Sequence, residues 1–110
     1  MGDSIEKAKI LKLNDLVKYE EGGIVSKQIL KSGSCSVTLF SFSKGQGLSE
    51  HSAPFDAMVQ LLDGEAEIKI GGKPFVLKKG DFIIMPANVT HALSATENFK
   101  MTLTMIKTPQ

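Results

Sequence analysis

The chain has 110 residues, 42% of them hydrophobic, which suits one compact domain with its own core rather than a disordered tail. Thirteen basic and twelve acidic residues leave a net charge of +1, which excludes the electrostatic footprint of a nucleic-acid or anionic-membrane binder. No stretch approaches the roughly 20 apolar residues of a membrane span, and Met1–Lys12 lacks the apolar run of a signal peptide, so a cytoplasmic protein is expected. Gly2 reads equally as native or as a cloning remnant. The single cysteine, Cys35, cannot staple its own chain. It is expected to be a small buried hydrophobe in a reducing compartment.

Helix signals are confined to the N-terminal part. Asn14 can cap a short turn over Asp15-Leu16-Val17-Lys18, and Gly22-Gly23 ends it. From there the chain reads as strands broken by turn residues at short intervals, the pattern of a sandwich or barrel. Ile24–Lys31 is the first strand, closed by Ser32-Gly33. Cys35–Phe42 is the second. It is apolar on both faces, with Cys35, Val37 and Leu39 on one and Phe40 and Phe42 on the other, so it is expected between layers or subunits. Lys44–Glu50 reads as a Gly-rich loop. Phe55–Leu62 is the next strand, and Asp63-Gly64 is a strong two-residue hairpin signal. Glu65–Ile70 alternates cleanly, with Ala66, Ile68 and Ile70 against Glu65, Glu67 and Lys69. A second tight turn at Gly71-Gly72 follows. Pro74–Leu77, Phe82–Met85, Thr90–Ala95 and Phe99–Lys107 complete the series.

The hairpin sets side-chain directions. If Asp63-Gly64 is a two-residue turn, Leu61 faces Ala66, Val59 faces Ile68 and Ala57 faces Ile70. Ala57, Val59 and Leu61 then join the interior side, while Met58, Gln60 and Leu62 point outward with the charges. A bulged residue at the turn breaks that parity.

The chemistry-bearing residues are few. The chain has two histidines, His51 just before a strand and His91 at a strand start. Met58, Met85, Met101 and Met105 are read as packing residues, with a soft-metal site as the lesser alternative. No base is placed for any hydroxyl of the Ser32–Ser43 stretch, so a serine nucleophile is unsupported.

Two stretches resemble the motifs of the cupin superfamily. Gly47-Leu48-Ser49-Glu50-His51-Ser52-Ala53, running through Ala57 to Gly64, is similar to the first motif. Gly80-Asp81-Phe82-Ile83-Ile84-Met85-Pro86-Ala87-Asn88-Val89-Thr90-His91 is similar to the second. The resemblance implies an all-β, double-stranded β-helix or jelly-roll barrel over residues 1–110, with the motif-bearing core at 35–107 and a short N-terminal helical turn. It also implies a homodimer. The departures bear on function. Of the donor positions of a full cupin metal site, only His51 and His91 are filled. Ala53 stands where the family has a second histidine and Ala57 where it has a glutamate. Asn88 replaces a motif glycine, and Ala95 a motif asparagine.

Two imidazoles alone leave most of a metal's shell to water or ligand. Gln60, Asp56 and Glu50 carry oxygen donors near His51 in sequence. Gln60 and Asp56 are expected on the outward face, and Glu50 lies on a loop of unread direction. The histidines therefore admit three readings: hydrogen-bonded pocket residues, a weak or partial divalent-metal site, or an acid–base group acting without metal. The expected ligand pocket lies at the barrel end near them, with Val59, Leu61, Ile68 and Ile70 as its floor and Met85, Met101 and Met105 toward its wall. The leading functional expectation is a cupin that binds an unidentified small molecule, with no organic cofactor. The rivals are a metal-dependent isomerase, lyase or dioxygenase and a non-catalytic sensor or assembly module.

Overall fold

A computed structural model describes residues 5–107 of the chain; Gly2 lies outside them. After a single 3₁₀ turn at Leu13–Asp15 come eight strands: β1 (Ile24–Ser32), β2 (Cys35–Phe42), β3 (Gly47–His51), β4 (Ala57–Ile70), β5 (Lys73–Lys78), β6 (Phe82–Met85), β7 (His91–Ser94) and β8 (Phe99–Ile106). All pairings are antiparallel. The backbone path runs β1-β2-β8-β4-β7-β3, with β5 and β6 also on β4. The all-β barrel expected from the sequence is what forms.

β4 organises the rest. Its 14 residues would span about 43 Å if straight, more than the longest dimension of the molecule, 39 Å. It bends instead. Ala57–Gln60 lies between β6 and β8, and Glu67–Ile70 lies between β5 and β7. The change of partners follows a register shift between Leu61 and Asp63. Asp63-Gly64 is therefore not the hairpin expected. Leu62 is the extra residue of a bulge inside one continuous strand, and Leu61 pairs with Met101 while Ala66 pairs with Leu77. The extra residue shifts the alternation by one. So Ala57, Val59 and Leu61 still share the interior with Ala66 and Ile68, all of them buried, and Gln60 is exposed on the outer face.

Gly64 makes the bend possible. Its φ is +79°, and a Cβ there would run into the carbonyl of Asn98. The bend puts the two halves of β4 on opposing walls. Ala57 and Ile70 lie about equally far from the corner, so their rows face each other at the same end of the barrel. Both belong to one apolar cluster that also holds Met85, Leu48 and Met105. Deeper in the same cluster, Phe42 stacks on Phe99 with centroids 4.5 Å apart.

The N-terminal segment covers the outer face of β2 and β8. Ser41 Oγ donates to the Lys18 carbonyl, Lys100 Nζ to the Asn14 carbonyl, and Tyr19 Oη to the Asp63 carboxylate at 2.5 Å. The Lys100 ammonium also lies over the Tyr19 ring. Burial and the Asp63 carboxylate push the Tyr19 phenol well above its usual range. Leu39, fully buried on that face, sits under this cover, with Val17 buried beside it. This accounts for the doubly apolar β2 without a partner chain. Asn14 does not cap the turn; its side chain reaches the Leu62 carbonyl at 3.5 Å.

Other expectations shift at their edges. Gly47–His51, read as the end of a loop, is a strand. Cys35, read as buried, is exposed, because it sits where the β1–β2 turn opens to solvent. No helix among the described residues is long and apolar enough to cross a membrane.

Gly64→Ala is expected to destabilise the fold by about 3 kcal/mol or more, through left-handed strain plus the carbonyl clash. Denaturant titration checks it. A loss below about 1 kcal/mol would show that the corner tolerates a side chain.

Candidate functional site

His51 ends β3 and His91 begins β7, and the two are register partners. His91 in turn pairs with Ile70 of β4. Pairing across three strands thus forms a row His51–His91–Ile70 on one wall. Gly47 permits the close approach of β3, since a Cβ there would strike the Leu93 carbonyl. The loop that follows β3 and the loop that precedes β7 are joined by the Asn88 amide donating to the Ala53 carbonyl at 2.7 Å. Asn88 adopts φ +64°, a conformation asparagine tolerates better than most residues, so it can stand in for the glycine of the motif.

The two rings meet edge to face, with centroids 4.3 Å apart and planes at 73°. Their Nε2 atoms are 3.1 Å apart. His51 Nδ1 lies 2.8 Å from the Ser49 carbonyl oxygen. A carbonyl only accepts, so Nδ1 carries the hydrogen, and neutral His51 presents a bare Nε2 lone pair. The contact with His91 then needs one of two things between the nitrogens. One is a proton on His91 Nε2, which leaves His91 Nδ1 bare. The other is a cation shared by two lone pairs. His91 is 6% exposed, and its Nδ1 has no hydrogen-bond partner among the described residues. Burial, then the neighbouring His51, holds its pKa below the usual 6.5, against a weaker opposing influence from the Val89 backbone.

The spacing fits a metal ion. Nitrogens at about 2.0–2.1 Å from one ion lie about 3.0 Å apart at a right angle and about 3.4 Å apart at a tetrahedral angle. The observed 3.1 Å falls between. The Ser49 carbonyl fixes the tautomer and orientation of His51 as an outer-shell partner does. The donor count does not reach a full site. Among the described residues no three His, Cys, Asp or Glu side chains converge. Gln60 faces outward in register with Phe82 and Thr102. Asp56 accepts the Ala87 amide at 2.8 Å, which organises the loop before the second histidine. Glu50 is exposed. Ala57 is buried at 6%, with no donor to offer.

Below the histidine row the wall is apolar and tightly packed. Val59, Ile68 and Met101 are 0% exposed, and Leu61 is 1% exposed. Met85 and the half-buried Met105 and Ile70 lie nearer the histidine end. An open depression of about 620 Å³ elsewhere is lined by Tyr19, Glu21, Ser43, Lys44 and Asn98. Its Ser43 Oγ and Asn98 Oδ1 already accept the Gly22 and Lys44 amides. The histidine end has the converging polar atoms and the perturbed titration that mark a site.

Known proteins place this architecture. A conserved protein of unknown function from Streptococcus pyogenes is 39% identical, with a TM-score of 0.92 over 98% of this chain and 95% of that one. A cupin 2 conserved barrel domain protein from Leptotrichia buccalis is 46% identical, with a TM-score of 0.85 over 88% of this chain and 47% of that one. A cupin superfamily protein from Desulfitobacterium hafniense is 26% identical, with a TM-score of 0.89 over 98% and 99%. No curated protein shows significant similarity. The cupin domain model matches residues 38–107, from within β2 to just past β8. The chain belongs to the cupin family.

Proposed function

We propose that this cupin binds a small molecule at the barrel end marked by His51 and His91, and that the pair holds a divalent metal ion only weakly. The observation that carries the reading is the pair of Nε2 atoms 3.1 Å apart with no third side-chain donor among the described residues. Two neutral imidazoles supply nitrogen ligands but no charge, so water or the bound molecule completes the shell. The metal would act there as a Lewis acid. The protein's own contribution is the fixed tautomer of the exposed His51, the buried second imidazole and the apolar side chains beside them. The exposed Cys35 thiol suits a reducing compartment, and we take the cytoplasm as the setting.

A homodimer is part of the same proposal. The outer face formed by β1, β2, β8, the first half of β4 and β6 carries Leu30, Phe82, Ile84 and Ile106 at 60%, 63%, 47% and 49% exposure. Leu30 and Ile84 end one transverse row, Leu30–Val37–Thr104–Met58–Ile84. These side chains expose roughly 400 Å² of apolar surface, about half of what one partner contributes to a stable interface. A second copy of the same face supplies the matching surface.

Zinc or nickel is expected to bind the full chain reversibly, and His91→Ala to weaken it by at least about tenfold. Calorimetric titration measures this. Stoichiometric, tightly held iron or manganese in protein purified without chelator would count against a weak two-histidine site.

Chelated protein is expected to lose stability in acid. His91 has a depressed pKa in the folded state, so the unfolded chain binds more protons. Its contribution is complete above the unfolded value of 6.5 and is lost as pH falls through the folded one. Melting temperatures across this window, with His91→Gln as reference, should show a slope in the wild type that the variant lacks.

For the dimer, Phe82→Glu is expected to give a monomer in sedimentation velocity. A monomeric wild type at micromolar concentration refutes that interface.

A further inference from the structure

Two buried side-chain polar atoms have no hydrogen-bond partner among the described residues: His91 Nδ1 and Ser36 Oγ. The first belongs to the pair just described. The fold gives no reason for the second. Ser36 lies on β2 and is 7% exposed. β2 keeps an unbroken register with β8, so Ser36 shares the face of Phe40 and Phe42, which packs against the core. Across β8 its row continues through Met105 to Ala57 of β4 and Met85 of β6. This is the row that faces His51–His91–Ile70 from the opposite wall. An unpaired hydroxyl in such a place works against stability, and alanine would serve the packing as well.

A second observation points the same way. β1 carries a bulge between Gln28 and Leu30, after which Lys31 pairs with Ser36. Without the extra residue, Lys31 would fall opposite Cys35, on the outer face. The bulge therefore turns a lysine onto the Ser36 row, a common use of bulges beside binding sites. Lys31 makes no ion pair among the described residues.

The end of the barrel thus has two poles. One is the unpaired Ser36 hydroxyl, with the exposed Lys31 across from it in register, and the other is the imidazole pair. Apolar Ala57, Met85, Met105 and Ile70 lie between. The nearby acidic groups do not neutralise either pole. Glu50 is exposed on β3 next to His51, and the Asp56 carboxylate is taken by the Ala87 amide. Of the other cations at this end, Lys73 lies over the Phe75 ring and Lys107 over the Phe55 ring.

We infer that Ser36 and Lys31 bind the carboxylate of a small organic acid whose other polar end reaches the histidine pair. The inference rests on the small-molecule site proposed above and adds the ligand class. Ser36 Oγ donates to one carboxylate oxygen, and Lys31 at the rim supplies the opposite charge. The Lys31 charge at the rim favours an anion over a neutral molecule of the same shape. The four methylene-poor or methylene-spaced side chains between the poles leave the middle of the ligand without hydrogen-bond demands.

The test uses the full chain and a length series of dicarboxylates, oxalate to glutarate, each against its neutral diamide. Calorimetry reads affinity and NMR reads the imidazole resonances. One chain length is expected to bind at least about tenfold tighter than its diamide, with both histidine rings shifting. Ser36→Ala and Lys31→Met are each expected to weaken it by about fivefold. Ser36→Ala should also melt no lower than wild type, since no internal bond is lost. The inference is overturned if no acid binds, if diamides bind as well as acids, if both variants bind like wild type, or if Ser36→Ala lowers the melting temperature. Binding that depends on Ser36 and Lys31 but leaves the imidazole resonances unmoved supports the carboxylate site and defeats the histidine-cavity reading instead.

Discussion

A strand of 14 residues cannot run straight through a molecule this small, and the way β4 escapes that limit governs the arrangement of everything else. The escape needs one residue with left-handed backbone and no side chain, because the Asn98 carbonyl occupies the space a Cβ would fill. Gly64 meets both conditions. The bulge beside it shifts the side-chain alternation by one residue while the strand passes from one set of partners to the other. As a result both halves of β4 turn their apolar residues inward. The two histidines inherit their position from this. His91 is aligned by Ile70 at the far end of β4, and His51 is aligned by His91. A failure at the corner would therefore separate the walls that make the site, without touching any residue that does chemistry.

Much of this was legible in the residues, though not always for the right reason. The inward set Ala57, Val59, Leu61, Ala66 and Ile68 follows from the parity of a two-residue hairpin, and the structure has no hairpin there. A bulge of one residue inside a continuous strand produces the same phase change. Local sequence cannot separate the two, because Asp-Gly supplies positive φ equally to a turn and to a bulge. The motif glycines, Pro86 and the histidines were readable because each meets a local backbone or ligand need.

What escaped was set by distant contacts. β3 carries polar, exposed residues and no clean alternation, and only pairing with β7 makes it a strand. The apolar outer face of β2 suggested a neighbouring subunit. Its partner is the chain's own N-terminal segment, tied on by Lys18, Tyr19 and Asn14 through bonds spanning 23 to 86 residues. Cys35 shows the limit of residue statistics, since thiols are buried on average but a turn exposes this one. Ser36 was read among serines with no base nearby. Its isolation becomes informative only once its row is known to face the histidines.

The chemistry of the site follows from what the two alanines omit. A carboxylate at position 57 would offset part of a bound cation's charge from within the protein. Ala57 offers none, and the nearest acidic side chains are solvated or engaged. A divalent ion on two neutral imidazoles beside Ala57, Met85 and Ile70 would keep its full charge next to a surface that solvates it poorly. Such an ion is retained only when something anionic arrives with it, so metal and ligand affinity become linked. In a fully equipped site the protein holds the metal and the ligand comes and goes. On the proposed reading the protein supplies orientation and the ligand supplies charge. On that reading the reduced donor set would transfer part of the binding free energy from the resident side chains to the molecule being bound.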